Sequence, residues 1–218
     1  NVTEEGVGYL FSNDREKVIE RLAEANGTDA IKYLAYTNAE VDSINNAVRR
    51  SIYGSPSLLE EGEVIIVNSP IKSRKTDSMY HTNEEVYIDT VEVMTKKFPL
   101  PKGMLGGSTE FKVYDVNHGM YAIHEDSVID FMRIMKFIKD ECINGTVNWK
   151  DLYDFKESFL DFKYNHAITV HKSQGSTYET AIVNVGNINR IRKEAERRKL
   201  LYTAVTRPST KLVLFNVV

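Results

Sequence analysis

The sequence predicts an α/β fold, a parallel sheet with helices on both faces, interrupted by a β-rich insertion and a helical arm. Three observations predict it. Short apolar runs at 30–36, 166–171, 180–185 and 211–217 alternate with helical patterns at the two ends of the chain, as strand–helix–strand units do. Between them, from 63 to 124, the apolar residues fall into short runs separated by Gly, Pro, Asn and charged turns, the signature of small antiparallel sheets. From 126 to 162 the period is helical again.

Taken in order, Ser12, Asn13 and Asp14 offer caps to a helix over 14–26, with Val18, Ile19, Leu22 and Ala23 at helical spacing and Gly27 as its stop. A strand over 30–36 comes next. Thr37-Asn38-Ala39-Glu40 has the Thr-x-x-Glu form of a capping box, and Val41, Ile44, Val48 and Ile52 line one face of the next helix up to Gly54. Strands are predicted at 63–68, 85–94, 110–114 and 119–124. A helix then carries Val128, Phe131, Met132, Met135, Ile138 and Cys142 on one face and ends at Gly145, with a second helix over 148–162. The last segment reads as strand 166–171, polar turn 172–177, strand 180–185, a basic helix over 189–206 and strand 211–217. The expected organisation is residues 1–61 with 163–218 as the α/β domain, 62–126 as the β insertion and 127–162 as the helical arm.

At 218 residues, 42% hydrophobic and 27% charged, the chain has material for real cores. Its apolar runs are too short to span a bilayer and no secretory leader is visible, so no membrane association and a cytoplasmic location are expected. The single cysteine, Cys142, excludes an internal disulfide and a multi-cysteine zinc site, and it reads as a small buried apolar residue. His81, His118 and His124 lack ligand spacing, so no metal site is expected. The net charge of −3 hides an asymmetry: residues 163–218 hold ten Lys or Arg against three Glu, a balance of +7 that leaves −10 elsewhere. A local site for phosphates requires such a concentration, and a solvated basic helix produces the same count.

The most informative stretch is Ala167-Ile168-Thr169-Val170-His171-Lys172-Ser173-Gln174-Gly175-Ser176-Thr177. An apolar strand ends abruptly in a turn bearing an imidazole, an ammonium, hydroxyls, an amide and a glycine, at the edge where open α/β sheets place ligands. Hydroxyl and amide groups suit phosphate or ribose; a surface turn that is merely polar fits the composition equally well. In the second stretch, Leu200-Leu201-Tyr202-Thr203-Ala204-Val205-Thr206-Arg207-Pro208, Pro208 forces Arg207 out of helical geometry. An arginine so held can reach a γ-phosphate, or it can simply offset the helix macrodipole as a C-terminal cation. Trp149, Tyr153, Phe155, Phe159 and Phe162, with Lys150, Lys156 and Lys163 among them, suit base stacking but fit a helical core better. His171 and Ser173 do not make a hydrolase, because there is no Gly-x-Ser-x-Gly elbow and no evident acid.

Together the two stretches resemble the last two signature motifs of superfamily 1 helicases of the RecD/Dda-like branch. Those motifs are a strand with a His-Lys-Ser-Gln-Gly-type turn followed, across a helix, by a Tyr-x-Ala-x-Thr-Arg-type segment. Tyr36-Thr37-Asn38, followed by Val41, Asp42 and Asn45, resembles the segment that opens the corresponding domain, and the β-rich middle from Gly62-Glu63-Val64 resembles the SH3-like insertion by position and pattern. The resemblance implies a RecA-like second motor domain of an ATP-dependent DNA helicase that moves 5′ to 3′ on single strands. It places Gln174, Gly175 and Arg207 toward ATP, with Arg207 as the catalytic arginine finger. It places Thr37, Asn38, Thr169, His171, Lys172 and Ser173 toward single-stranded DNA.

No Gly-x-x-x-x-Gly-Lys-Ser/Thr occurs, so ATP with Mg²⁺ is expected as cofactor of a longer protein, with no cofactor bound to, and no hydrolysis by, this chain alone. The implied partners are single-stranded DNA, an N-terminal RecA-like domain of the same protein, and replication or recombination proteins, in a bacterial or phage-infected cell. Two alternatives remain, a RecD-like subunit of a helicase–nuclease (exodeoxyribonuclease) complex and a non-catalytic protein-interaction module.

Overall fold

The computed structural model describes residues 8–26, 30–73, 77–102, 104 and 107–217. They form two compact units, one from the described residues up to 56 with those from 164 on, and one from those between 57 and 163.

The first unit opens with β1 (Gly8–Ser12), α1 (Arg15–Ala25), β2 (Ile31–Ala35) and α2 (Asn38–Tyr53). Asp14 caps α1 by accepting from the Lys17 amide at 3.2 Å, and Asn26 ends it in the left-handed region. Gly27, the expected stop, lies outside the described residues.

The second unit carries β3 (Val64–Val67), β4 (Ile71–Lys72), β5 (Met79–Tyr80), β6 (Glu85–Tyr87), β7 (Val91–Pro99), β8 (Ser108–Val116) and β9 (Met120–Ile123). They are followed by α3 (Val128–Ile143), α4 (Trp149–Lys156) and β10 (Phe162–Tyr164). The strands pair in three small sheets, and the helices share one core with β7–β9: Phe98, Phe111, Tyr121, Ile138, Cys142, Phe155 and Phe159 pack together. Rings of Phe98 and Phe159 lie 4.5 Å apart. Phe155 and Phe159 are therefore core, while Trp149 and Tyr153 stand exposed.

The chain then completes the first unit with β11 (Ala167–Thr169), β12 (Tyr178–Asn184), α5 (Val185–Ile188), α6 (Glu194–Val205) and β13 (Pro208–Phe215). Its sheet has the order β1-β13-β12-β2-β11 and every pairing is parallel. The fold is thus the mixed α/β class that the sequence predicts, with additional antiparallel sheets. Tyr33, Ala35, Ile182, Val213 and Phe215 point to the face covered by Val18 and Leu22 of α1 and Val41, Ile44 and Val48 of α2. The crossovers β1–α1–β2 and β2–α2–β11 run one way across the sheet, and β12–α6–β13 runs the other. Right-handed crossovers therefore put α6 on the opposite face.

This reversal creates a switch point. Beyond the carboxyl ends of β2 and β12 the chain departs to opposite faces, leaving the crevice where open α/β sheets bind ligands.

Candidate nucleotide and nucleic-acid site

The polar turn joins two edges of the sheet. Thr169 ends β11 opposite Ala35, the last residue of β2, whereas Thr180 near the start of β12 lies opposite Ile31, the first. Between Thr169 and Thr180 the chain therefore travels back along the strand direction by about 13 Å. The start of the turn lies at the carboxyl edge, as expected; its end lies at the amino edge, which corrects the expectation that all of it sits at one.

At the carboxyl edge the turn begins as a single helical turn. The Thr169 carbonyl accepts from the Ser173 amide at 3.1 Å, and the Thr169 hydroxyl accepts from the Lys172 amide at 3.3 Å. His171 is exposed and its ring lies 6.2 Å from that of Tyr36, the residue after β2. Thr169, His171, Tyr36, Thr37 and Asn38 thus occupy neighbouring strand ends. Ser173 is different: it is fully buried and its hydroxyl donates to the Val170 carbonyl at 2.8 Å. That bond shapes the turn from within.

Gln174 and Gly175 are exposed, and Gly175 takes φ +89° with open space where a Cβ would stand, so conformation rather than crowding favours glycine. Arg207 follows the end of α6 and is half-buried. Its Nε donates to the Thr203 carbonyl at 3.0 Å, its Nη1 to the Ser176 carbonyl at 3.0 Å and its Nη2 to the Thr206 hydroxyl at 3.3 Å. The arginine clamps the end of the polar turn onto the helix end. Both readings of Arg207 meet in this geometry, since it caps carbonyls while part of its five-donor fork stays available to an anion. These residues suit one wall of a nucleotide site. Among the described residues no group of three or more His, Cys, Asp or Glu is placed to hold a metal ion.

Sequence reasoning missed the network that fixes the switch point. Thr37 does cap α2, its hydroxyl accepting from the Glu40 amide at 3.3 Å, but Glu40 does not complete the box. Its carboxylate instead accepts from the Tyr33 hydroxyl at 2.9 Å and the Asn184 amide at 3.1 Å and lies 3.6 Å from Arg15. The reason is that the Thr37 amide is already taken: the Asn187 Oδ1 accepts from the Tyr36 and Thr37 amides at 2.8 and 3.0 Å. Burial, and then the Glu40 charge, raise the Tyr33 pKa. An available signal was Asn184 at the end of an apolar run and three residues before Asn187, an N-cap pattern that a strand drawn to 185 and a helix drawn from 189 pass over.

A second missed cluster lies at the amino end of β11. Asn45 is buried and acts as a strand substitute, its Oδ1 accepting from the Ala167 amide at 2.8 Å and its Nδ2 donating to the Ala167 carbonyl at 3.0 Å. Fully buried Lys32 donates to the carbonyl and side-chain oxygens of Asn165 at 2.8 and 2.7 Å. His166 is buried with neither ring nitrogen partnered among the described residues. Burial, with Lys32 and Arg49 nearby, holds its pKa down to about 4.

The fold and site define an α/β domain with a parallel five-stranded sheet and a polar turn at its switch point. Residues 164–215 match the family described as the UvrD-like helicase C-terminal domain. Over 202 residues the chain is 24% identical to the ATP-dependent DNA helicase dda of Enterobacteria phage T4, covering 81% of this chain and 45% of that protein. It is also 39% identical over 64 residues to an uncharacterized protein of Acanthamoeba polyphaga mimivirus, covering 28% of this chain and 13% of that one. The crystal structure of Pif1 helicase from Candida albicans aligns with 94% of this chain and 53% of its own, at 12% identity and a TM-score of 0.43. The family match and the phage relative support a superfamily 1 helicase C-terminal domain, and the chain spans less than half the length of the curated relatives it matches. They favour a Dda-like relationship over a RecD-like helicase–nuclease subunit. Among the described residues no helix is long and apolar enough to cross a membrane.

Proposed function

We propose that the chain is the second motor domain of an ATP-dependent DNA helicase, moving 5′ to 3′ along single strands and acting in the cytoplasm of a bacterial or phage-infected cell. One observation carries this reading. A single eight-residue turn begins beside Thr37 and Asn38 at the carboxyl edge and ends held by Arg207 at the amino edge. Thr169, His171 and Lys172 hold the strand's backbone together with Thr37 and Asn38; Gln174, Gly175 and Arg207 face ATP completed by an N-terminal RecA-like domain, which supplies the phosphate loop and the Mg²⁺ ligands. The nucleotide supplies the γ-phosphoryl group, and Arg207 neutralises the charge that develops there. Because the two ends of the turn share one rigid piece of chain, closure on one ligand displaces the contact with the other.

Residues 62–126 form the insertion and 127–162 the helical arm in this reading, and replication or recombination proteins are the further partners. The chain alone is inactive. The longer protein should hydrolyse ATP in response to single strands and lose turnover on Arg207→Ala; unchanged hydrolysis by that variant would sink the assignment.

A further inference from the structure

Asn187 is the buried residue that closes the switch-point crevice, and its orientation has a chemical consequence. Its Oδ1 faces two backbone amides, which can only donate, so the carboxamide has one allowed orientation. Its Nδ2 then donates to the Thr37 hydroxyl at 3.2 Å. That oxygen also accepts from the Glu40 amide at 3.3 Å. Both lone pairs of the Thr37 oxygen are thereby occupied, and the hydroxyl is left with its proton to give. Among the described residues that proton meets the Asn187 Oδ1 at 3.5 Å, which is distant and already takes two N–H groups. Asn187 is itself fixed, its own amide donating to the Asn184 Oδ1 at 2.9 Å while Asn184 donates to the Tyr33 hydroxyl at 2.7 Å.

We infer that Asn187 is a positioning residue for nucleic-acid binding: it holds the Tyr36–Thr37 backbone and makes the Thr37 hydroxyl an obligatory donor to a phosphate oxygen of the single strand. The inference rests on the proposed placement of Thr37 against the strand and names what sets its chemistry. Two further features agree with an anion there. The site lies at the carboxyl-edge switch point of the sheet, and Thr37 caps the amino end of a 16-residue helix, whose dipole favours negative charge.

The test is a double-mutant cycle with the 218-residue chain and a fluorescently labelled oligothymidylate, read by anisotropy at low salt. Asn187→Asp keeps an acceptor for the two backbone amides but replaces the donor with a second acceptor, which recaptures the Thr37 proton. The variant should melt within a few degrees of wild type and bind about tenfold more weakly, the cost of one hydrogen bond to a charged group. Thr37→Val should lose a similar factor, and the double variant should lose no more than either alone. A carboxylate acting only by repelling phosphates would instead weaken binding equally in the Thr37→Val background, and that result overturns the inference. So does wild-type affinity in Asn187→Asp. Failure of the wild-type chain to bind the oligonucleotide at all overturns the placement of Thr37 beneath it, a distinct outcome from loss of the positioning role alone.

Discussion

Lowering the pH should destabilise the α/β unit through His166. The imidazole is buried without a hydrogen-bond partner among the described residues, so protonation puts a charge beside Lys32 and Arg49 in a site that offers it nothing. Its pKa is held at about 4 against 6.5 for the free side chain, so the unfolded chain binds a proton that the folded one refuses. The contribution is therefore fully present above pH 6.5, is lost as pH falls from there toward 4, and levels off below. The whole window is worth about 3 kcal/mol, and roughly 2.5 kcal/mol of it should be gone at pH 4.5. Urea unfolding should be followed by circular dichroism, because the single tryptophan, Trp149, lies in the other unit. His166→Phe removes the titrating group and both unpartnered nitrogens. Carboxylates that titrate in the same range cancel in the difference between wild type and variant. The variant should gain on wild type by about 2.5 kcal/mol between pH 7.5 and pH 4.5. A difference that stays constant over that range would refute the account of the cluster.

The remaining predictions concern how the site is held. Gly186 lies beside Asn187, and a Cβ there would stand 2.8 Å from the Asn216 carbonyl oxygen and 2.7 Å from its side-chain nitrogen. Gly186→Ala should cost about 1–3 kcal/mol in urea unfolding, since backbone cannot yield as a side chain can. Asn45→Ala should cost about 2–3 kcal/mol in the same assay, because it strands the buried amide and carbonyl of Ala167 that the carboxamide satisfies.

Much of the α/β unit was legible because β2, β11 and β12 are largely buried and stand as short apolar runs, and because Thr37 and Arg207 are followed by a helical pattern and a proline respectively; β1, with exposed Phe11, was not drawn. What escaped was set by side chains that take over backbone groups at long range. The strand drawn over 85–94 is two, since the Asn117 Oδ1 captures the Asp89 and Thr90 amides at 2.9 and 3.3 Å. The helix drawn over 189–206 starts only at Glu194; before it Asn184 caps a separate turn of helix over Val185–Ile188, and buried Ile191 lies between the two. The second helix of the arm stops at Lys156 instead of 162, because Phe159 and Leu160 are drawn into the core, with the Leu160 amide on the Tyr121 carbonyl at 2.8 Å. On α3 the predicted face was partly misplaced: Ile138 and Cys142 are buried, whereas Val128 and Met132 are exposed and Ile134 packs inward. Within the site, composition marked the turn but not its span, which depends on a strand order that no local pattern encodes.

The most direct test of the central claim is steady-state ATP hydrolysis by the longer protein as single-stranded DNA is titrated, comparing Arg207→Ala with Lys172→Ala. The account predicts that Arg207→Ala lowers kcat on the order of a thousandfold while single strands still bind, and that Lys172→Ala raises the DNA concentration for half-maximal stimulation with kcat largely kept. If Arg207→Ala keeps its turnover, or if Lys172→Ala lowers kcat with DNA affinity unchanged, the division of the turn between ATP and DNA is contradicted.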